Sequence, residues 1–175
     1  MDGPASCVLT NYTTALQVNF VSTALVSLLL LPLLKASPSN PNPPVLTFVT
    51  TFGIYPASPT MSMPKQGSYL KLMSNNKDGM AQAHQYGRSK ALLLYFAREL
   101  AVRVSASGRK VTINSADPGS AWTGLTGPNQ AKLIPRLIMN ISARDPLICA
   151  TALTNGVSVT AKGHGQIMQD FGATR

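Results

Sequence analysis

A chain of 175 residues in which 45 % are hydrophobic is long enough for one domain with a sizeable core, which excludes a wholly disordered protein. Only 12 % of the residues are charged, about half of the usual share, so we expect part of the surface to be covered by a partner. The net charge is +9, but the basic residues are scattered and not interleaved with aromatic residues, so a solvated basic surface or attraction to an anionic ligand is favoured over nucleic-acid binding.

The cysteine content indicates a reducing environment. Cys7 and Cys149 are too few for a disulfide framework and lack the spacing of a zinc site, so we expect a cytoplasmic protein without a metal centre. The N-terminal MDGPASC has no basic region and is a poor signal peptide.

The first predicted element is a long apolar helix. Asn11 or Thr13 can cap it, and it runs to about Lys35. Residues 15–34 approach the length of a membrane span. Polar residues and a proline within this run favour a fully buried helix of a soluble domain over a membrane span.

The next segments predict a strand and a long loop. Residues 36–44 are rich in Pro, Ser and Asn and cannot be helical. The β-branched, apolar run 45–51 predicts a buried strand. Residues 52–83 are rich in Gly, Pro, Ser, Asn and Met, and a loop of this length inside a domain is usually functional, so we interpret it as an active-site loop.

The remaining elements continue the alternation of helices and strands. We predict a helix over 82–105 that ends near Gly108, a strand over 111–116, a helix over 145–155 and a weak final strand over 165–170. The region 120–144 is predicted to be a substrate-binding loop with a short helix. This order implies right-handed crossovers and a parallel sheet with helices on both faces, within one domain that spans 1–175.

Tyr86 and Lys90 lie four residues apart in AQAHQYGRSKALLLYF, on one face of the predicted helix. A phenol is a poor acid or base at neutral pH, and a nearby ammonium lowers its pKa by stabilising the phenolate. Such a tyrosine can protonate a carbonyl that is being reduced or deprotonate an alcohol. The spacing alone is weakly specific, and the alternative is two residues that merely share a helix face.

Four segments in order make that pair more specific: LQVNFVSTALVSLLLLPLL, VLTFVTTFG, YGRSKALLLYFARELAVRV and VTINSADPGSAWTGL. With the tail GHGQIMQD they resemble the short-chain dehydrogenase/reductase family, and in particular its retinol-dehydrogenase-like and fungal biosynthetic branches. The resemblance covers residues 11–170. It implies an α/β fold, namely the C-terminal part of a Rossmann-like doubly wound parallel sheet with about three strands and flanking helices.

The resemblance also implies an activity and its catalytic residues. The family transfers a hydride between NADP(H) or NAD(H) and a carbonyl or alcohol substrate, here in small-molecule or secondary-metabolite metabolism. Tyr86 matches the acid/base, Lys90 the residue that lowers its pKa and holds the nicotinamide ribose, and Asn19 the support of a proton relay to that lysine. Thr51 stands where the family has a serine that binds the substrate oxygen. Thr50 offers a second hydroxyl, but strand alternation predicts that it points to the other face.

Three further residues match the family's nicotinamide side. Pro118 and Gly119 match the turn against the nicotinamide, and Thr123 matches the hydroxyl that binds its carboxamide. Each matched residue has a simpler alternative: Asn19 as a buried polar group of a helix, Thr51 as an ordinary strand residue, and Pro118-Gly119 as a turn that only ends a strand.

The sequence departs from the family pattern in lacking a G-x-G-x-x-G loop, which would bind the cofactor pyrophosphate. The resemblance begins at about the family's fourth helix, so we expect the cofactor-binding half to come from elsewhere. Without the upstream strands, the strand over 45–51 becomes a bare apolar edge and the first helix loses sheet to pack on.

Two other functions remain open at this point. One is a cofactor-independent isomerase, dehydratase or cyclase that uses Tyr86 and Lys90 for proton transfer. The other is a non-catalytic interaction module that pairs with a full-length relative. In the family, the helices around Asn19 and Tyr86 commonly form the dimer face, so we expect a homo-oligomer or such a pairing.

Three other polar residues are weaker candidates. His84 could line the pocket, but a loop histidine is usually solvated. His164 lies between two glycines and predicts a turn. Asp117 is interpreted as a turn carboxylate rather than an acid catalyst, because Asp-Pro-Gly favours turns.

Overall fold

The computed structural model of this chain describes residues 12–37, 42–51, 54, 69–74, 82–108, 111–121, 143–169 and 172–174. Its elements in chain order are α1 (Thr14–Leu16), a π-helical segment (Gln17–Ser22), α2 (Thr23–Ala36), β1 (Val45–Val49), α3 (Tyr69–Ser74), α4 (Gln82–Ala106), β2 (Thr112–Asp117), β3 (Ser120–Ala121), β4 (Ala143–Arg144), α5 (Pro146–Ser158), a 3₁₀ turn (Ala161–Gly163), β5 (Ile167–Gln169) and β6 (Gly172–Thr174).

The main sheet has the strand order β1-β2-β5-β6. The first three strands are parallel, and β6 pairs antiparallel with β5. In the register, Val45 lies opposite Thr112 and Val49 opposite Ala116. The predicted α/β fold with three parallel strands is confirmed, and β6 adds an antiparallel strand that the sequence did not predict.

Helices cover both faces of this sheet. On one face, α4 packs Leu93 and Leu100 against Phe48 of β1 and Ile113 of β2 in a buried apolar cluster. On the other face, α5 lies so close to the sheet that Gly156 contacts β1 and β2 directly. The strand β2 is buried at every position because it lies between two strands and two helical layers.

The N-terminal helix (Thr14–Ala36) begins as predicted at Thr13, whose Oγ1 accepts a hydrogen bond from the N–H of Leu16 at 3.4 Å. Asn11, the alternative cap, lies outside the described residues. The π-helical segment interrupts the α-helix and was not predicted. Within it, Phe20 meets Phe96 of α4 edge to face, with ring centroids 6.2 Å apart, which anchors the helix on α4.

The prediction that this helix is fully buried is wrong. Only 11 % of its most apolar 18-residue window is buried, and Leu29 and Leu33 are 65 % and 66 % exposed. The physical reason is that β1 is the edge strand of the described sheet, so the sheet supports the helix on one side only. By length and composition alone the helix could cross a membrane, but Leu31 and Leu34 pack against the core of this fold.

The helix α4 matches its prediction closely. It ends before Gly108, which has φ +87°, a conformation that favours glycine at a helix terminus. Its buried stripe recurs at helical spacing in Leu93, Ala97, Leu100 and Val104.

The two predicted loop regions contain short elements. The helix α3 lies within 52–83, so that segment is not loop throughout; apart from α3, Ile54 and the start of α4, it lies outside the described residues. The strands β3 and β4 pair in parallel and bring the two ends of the region 120–144 together. The cap of α5 is Asp145, whose Oδ1 accepts a hydrogen bond from the N–H of Leu147 at 2.7 Å.

Candidate functional site

A cavity of about 650 Å³ lies at the carboxyl ends of β1 and β2. It collects six of the seven residues that the sequence singled out as catalytic or cofactor-binding: Asn19, Thr51, Tyr86, Lys90, Pro118 and Gly119. Thr123, the seventh, lies outside the described residues.

The topology explains why residues so distant in sequence meet here. Carboxyl ends of adjacent parallel strands lie at the same edge of a sheet, so the residues that follow β1 and those that follow β2 are neighbours. Thr51 follows β1, and Pro118 follows β2. The first turns of α4 bring Tyr86 and Lys90 over the same edge. Asn19 is supplied by the π-helical segment.

Tyr86 and Lys90 are close but make no direct hydrogen bond. The Lys90 Nζ lies 5.9 Å from the centroid of the Tyr86 ring. That ammonium donates a hydrogen bond of 2.9 Å to the main-chain carbonyl of Val49, at the end of β1. Lys90 is therefore held between the site and the edge strand.

The pKa of Tyr86 is raised, not lowered as the spacing to Lys90 predicted. Burial of the phenol is the larger cause, and the negative charge of Asp117 adds to it. Burial lowers the pKa of Lys90. Tyr86 is nevertheless 37 % exposed, and like an ordinary tyrosine it is a protonated phenol at neutral pH.

Asn19 is bonded to Ser89 of α4 rather than to Lys90. Its Nδ2 donates to Ser89 Oγ at 3.1 Å, and Ser89 Oγ donates to the carbonyl of Tyr86 at 2.7 Å. The sequence did not single out Ser89, although it lies one residue before Lys90 and is fully buried. The π-helical turn at Asn19 is of a kind often found at functional sites. A role of Asn19 in a proton relay stays a prediction.

Both Thr50 and Thr51 line the cavity. The Thr50 N–H still donates to the carbonyl of Ala116 at 2.9 Å, beyond the end of β1 at Val49, and the orientation of the Thr50 side chain toward the other face stays a prediction. The Thr50 side chain is 3 % exposed, and its hydroxyl has no hydrogen-bond partner among the described residues. Its oxygen is shielded from solvent, so this hydroxyl is not presented to a molecule in the cavity.

The Pro118–Gly119 turn, which follows β2, is held by Asp117, the last residue of that strand. Gly119 has φ +75°, and its N–H donates to Asp117 Oδ1 at 2.9 Å. Asp117 Oδ2 accepts from Gln169 Nε2 of β5 at 3.3 Å. The interpretation of Asp117 as a turn carboxylate is confirmed; the residue is also buried, and its negative charge contributes to the raised pKa of Tyr86.

A second cavity, of about 470 Å³, adjoins the site along the free edge of β1. The N-terminal helix forms one wall with Val18, Val26 and Leu30, and β1 forms the other. Asn19 and Lys90 line both cavities, so the second cavity opens beside the candidate site. The predicted bare edge is confirmed for the described sheet.

Two side chains of interest were given no role from sequence. Cys149 is a buried, free thiol on the first turns of α5, and it lines the 650 Å³ cavity. His164 is not only part of a turn, because its ring also joins α4 to β2. The side chain of His84 lies outside the described residues.

Comparison with known proteins identifies relatives by sequence. No family model matches the chain. It is 33 % identical over 162 residues to a short chain dehydrogenase of Arthrobotrys oligospora and 30 % identical over 174 residues to one of Aspergillus nomiae. Each alignment covers 91 % of this chain but only 49 % and 44 % of those proteins. The chain therefore spans about half the length of the curated relatives that it matches.

Solved structures share the fold. The carbonyl reductase Sniffer of D. melanogaster matches 98 % of this chain with a TM-score of 0.59 and 17 % identity, and 61 % of that chain is covered. The RhlG/NADP active-site complex of Pseudomonas aeruginosa matches 98 % with a TM-score of 0.61 and 21 % identity, over 63 % of that chain. Salutaridine reductase of Papaver somniferum matches 87 %, with a TM-score of 0.59 and 17 % identity, over 52 % of that chain.

Proposed function

We propose, from the premise that this chain belongs to the short-chain dehydrogenase/reductase family, that it carries the substrate and proton-transfer site of a nicotinamide-dependent carbonyl reductase or alcohol dehydrogenase. The observation that supports this most strongly is the single cavity shared by Thr51, Tyr86, Lys90 and the Pro118–Gly119 turn. Residues this far apart in sequence share a cavity only through the fold.

The chemistry of Tyr86 supports proton transfer in this proposal. A phenol, whose pKa burial and Asp117 raise further here, is protonated at neutral pH and can donate that proton to a carbonyl oxygen as the carbonyl is reduced. Thr51 lines the same cavity and would hold the substrate oxygen. The walls also include Leu153 and Ala121, which suits an apolar small molecule.

The residues present fit one end of a nicotinamide cofactor. The Lys90 ammonium and the Tyr86 hydroxyl are donors for a ribose, and Gly119 has open space where a Cβ would stand, so a flat ring can approach the turn. When bound, a reduced nicotinamide supplies the hydride. The sequence contains no glycine-rich loop for the pyrophosphate. The residues of this site therefore give no preference for NADP over NAD. A cytoplasmic enzyme of secondary metabolism is part of the same proposal.

A titration of the purified chain with NADPH and NADH, followed by turnover with a panel of ketones and aldehydes, tests this function. We expect binding of at least one cofactor and reduction that falls by about 10²-fold or more in Tyr86→Phe. Thr154→Ala, an exposed change on the outer part of α5, is the control and keeps wild-type rates. Turnover that persists with nicotinamides rigorously excluded would instead support a cofactor-independent isomerase, dehydratase or cyclase.

We also propose that the exposed face of the N-terminal helix mediates self-association. Leu29 and Leu33 lie one turn apart and are both about two-thirds exposed, as is typical of a helix face that packs against another protein surface. Light scattering after size-exclusion chromatography tests it: Leu29→Glu is expected to reduce the assembly size. Leu147→Glu, the same change at a leucine of α5 that is 74 % exposed, is the matched control. A monomeric wild-type chain contradicts the proposal.

A further inference from the structure

The free edge of β1 carries main-chain groups that do not bond to β2. The residues of a strand in a parallel pair alternate between its two sides, and the N–H of Thr50 donates to the carbonyl of Ala116 in β2 at 2.9 Å. The even-numbered residues of β1 therefore face β2. The main chains of three residues face the free edge: Val45, Thr47 and Val49.

The ammonium of Lys90 occupies one of these edge groups. Its Nζ donates to the Val49 carbonyl at 2.9 Å, which agrees with the alternation, because a carbonyl turned toward β2 would point away from it. The same separation is typical of the nitrogen and oxygen of a hydrogen bond between strands. The ammonium thus stands where the N–H of an added strand would bond.

The cavity of about 470 Å³ between the N-terminal helix and β1, here called the edge groove, suits an extended chain. Its walls include Val26 and Leu30 of the helix and Phe48 of the strand. A purely apolar occupant would cover the amides and carbonyls of the edge without bonding to them, which costs free energy. A peptide strand bonds to the edge and packs its side chains against the apolar walls.

The sequence positions of the edge groups make β1 complementary to a second copy of itself. Val45 and Val49 each lie two residues from Thr47. Two antiparallel copies related by a two-fold axis at Thr47 therefore place Thr47 opposite Thr47, and Val45 opposite Val49. Because all these main chains face the free edge, each opposing pair is of the kind that exchanges two hydrogen bonds.

The surface around this edge favours self-association of a basic chain. The net charge is +9, yet residues 12–34 and 45–49 contain no charged side chain, so two copies meet here without like-charge repulsion. Six apolar side chains of α2 are 43–66 % exposed and present on the order of 500 Å², and β1 adds to this area, against ~800 Å² that each partner buries in a standard interface. These side chains are Leu25, Val26, Leu28, Leu29, Leu30 and Leu33.

We propose that β1 pairs with the β1 of a second copy of this chain, and that this pairing releases Lys90 from Val49. The N–H of Val45 in the second copy bonds to the Val49 carbonyl in place of the ammonium. The released ammonium turns toward Tyr86, whose ring centroid lies 5.9 Å from it in the single chain. The consequence for catalysis rests on the proposed function, whereas the exchange at Val49 does not.

The variant Val45→Pro tests the pairing of the edges. It removes the N–H that crosses the two-fold axis and leaves the bonds to β2, and proline is tolerated at the first residue of an edge strand. Val45→Ala, which keeps the N–H, is the matched control. By analytical ultracentrifugation we expect the dimer Kd to rise about tenfold or more in Val45→Pro relative to Val45→Ala. Equal Kd values in two variants that circular dichroism shows to be folded overturn the pairing.

Hydrogen exchange of the wild type tests the same contact without a substitution, and it applies if Val45→Pro does not fold. The Thr47 amide faces the free edge in the single chain and is bonded in the proposed dimer. We expect its protection to rise with protein concentration as the dimer forms. Exchange of the Thr47 amide at the same rate in dilute monomer and in concentrated dimer overturns the proposal.

The variant Lys90→Met tests the exchange at Val49. Without the ammonium, the Val49 carbonyl has no bond to give up, so we expect the dimer Kd to fall by about tenfold. Loss of a positive charge favours association of a basic chain by itself, and the exposed Lys162→Met is the control for that effect. Equal Kd values for Lys90→Met and Lys162→Met show that pairing does not displace Lys90, and they overturn the exchange.

These outcomes separate this inference from the earlier proposals. The measurements of association need no turnover, so a dimer that forms as described but reduces no carbonyl sinks the proposed function and keeps the pairing. A dimer that Leu29→Glu dissociates and Val45→Pro does not retains the helix interface and sinks the strand pairing. Where the chain is active, its specific activity is expected to rise with the dimer fraction, and constant specific activity overturns the link between pairing and the site.

Discussion

Lys90 of α4 is tied to Val49 of β1 by a hydrogen bond of 2.9 Å from its ammonium to the main-chain carbonyl. The carbonyl belongs to the last residue of an edge strand, where the described sheet supplies no further partner on that side. The bond therefore joins α4, which carries the candidate pair Tyr86 and Lys90, to the edge strand of the described sheet. In this position the ammonium lies 5.9 Å from the centroid of the Tyr86 ring.

The burial of Lys90 predicts how stability changes with pH. Its folded-state pKa lies below the ordinary 10.5, so between these two values the unfolded chain binds more protons and the free energy of unfolding rises with pH. Comparing Tyr86→Phe with Tyr86→Phe/Lys90→Met by urea unfolding up to pH 10.5 isolates this effect from Tyr86. We expect the lysine-containing protein to gain stability relative to the methionine variant as pH rises through that window. Parallel curves would show that burial does not perturb the lysine.

The hydrogen bond between Asn19 and Ser89 predicts an energetic coupling. Ser89→Ala removes the acceptor of the Asn19 amide and the bond to the Tyr86 carbonyl, and should lower the free energy of unfolding by about 1–3 kcal/mol. In a double-mutant cycle with Asn19→Ala, we expect a coupling of about 0.5–1.5 kcal/mol by urea unfolding. Ser74→Ala, which removes a bond within α3, serves as an uncoupled control. Additive losses from Asn19→Ala and Ser89→Ala would mean that the contact contributes nothing.

The features that sequence predicted well are those that depend on local pattern. The apolar period of α4, the β-branched run of β1 and the glycine at the end of α4 each have a physical signature within a few residues. The six residues of the site were found by resemblance and then brought together by the topology of the sheet.

The features that sequence missed depend on distant partners. The raised pKa of Tyr86 arises from burial and from Asp117, which is 31 positions away in sequence. The exposure of the N-terminal helix follows from the position of β1 at the edge, since the helix composition fits a buried or an exposed element equally well. The π-helical turn at Asn19 has no residue pattern that distinguishes it from α-helix.

His164 also bonds to residues that are distant in sequence. Its hydrogen bonds predict which ring nitrogen carries the proton. Its Nδ1 accepts from the N–H of Ile113 at 3.1 Å, so the neutral ring carries its proton on Nε2, which lies 2.9 Å from the carbonyl of Ala101 and 3.0 Å from Ser105 Oγ. Nitrogen NMR shifts are expected to report the Nε2–H form. A ring protonated on Nδ1 would contradict this arrangement.

Substitutions at His164 should follow the same geometry. His164→Leu leaves the amide of the fully buried Ile113 without a partner and should cost about 1–3 kcal/mol of unfolding free energy. His164→Asn places an oxygen near the position of Nδ1 and should recover part of that loss. Equal losses in the two variants, measured by urea unfolding, would show that ring packing rather than the hydrogen bond is responsible.

The close approach of Gly156 to the sheet predicts that a methyl group added at this position lowers the free energy of unfolding. A Cβ there would lie 3.0 Å from both the Ala116 Cβ and the Thr47 Cγ2, closer than carbon atoms pack. Alanine gains about 1 kcal/mol of helix propensity, but the overpacking costs about 1–3 kcal/mol, and displacement of α5 strains the 2.7 Å bond from Asn114 Nδ2 to the Gly156 carbonyl. We therefore expect a net loss of about 1 kcal/mol in urea unfolding of Gly156→Ala.

Two further variants test that explanation for Gly156. Thr47→Ser removes the clashing methyl group, so Gly156→Ala should cost less in that background than in the wild type. Ser158→Ala, an exposed change in the same helix, should alter stability by no more than about 0.5 kcal/mol. If Gly156→Ala is stabilising, helix propensity outweighs contact with the sheet, and α5 can move away from β1 and β2 without loss. That result would make the layer behind the cavity adaptable rather than closely packed, since α5 also carries Cys149 into the site.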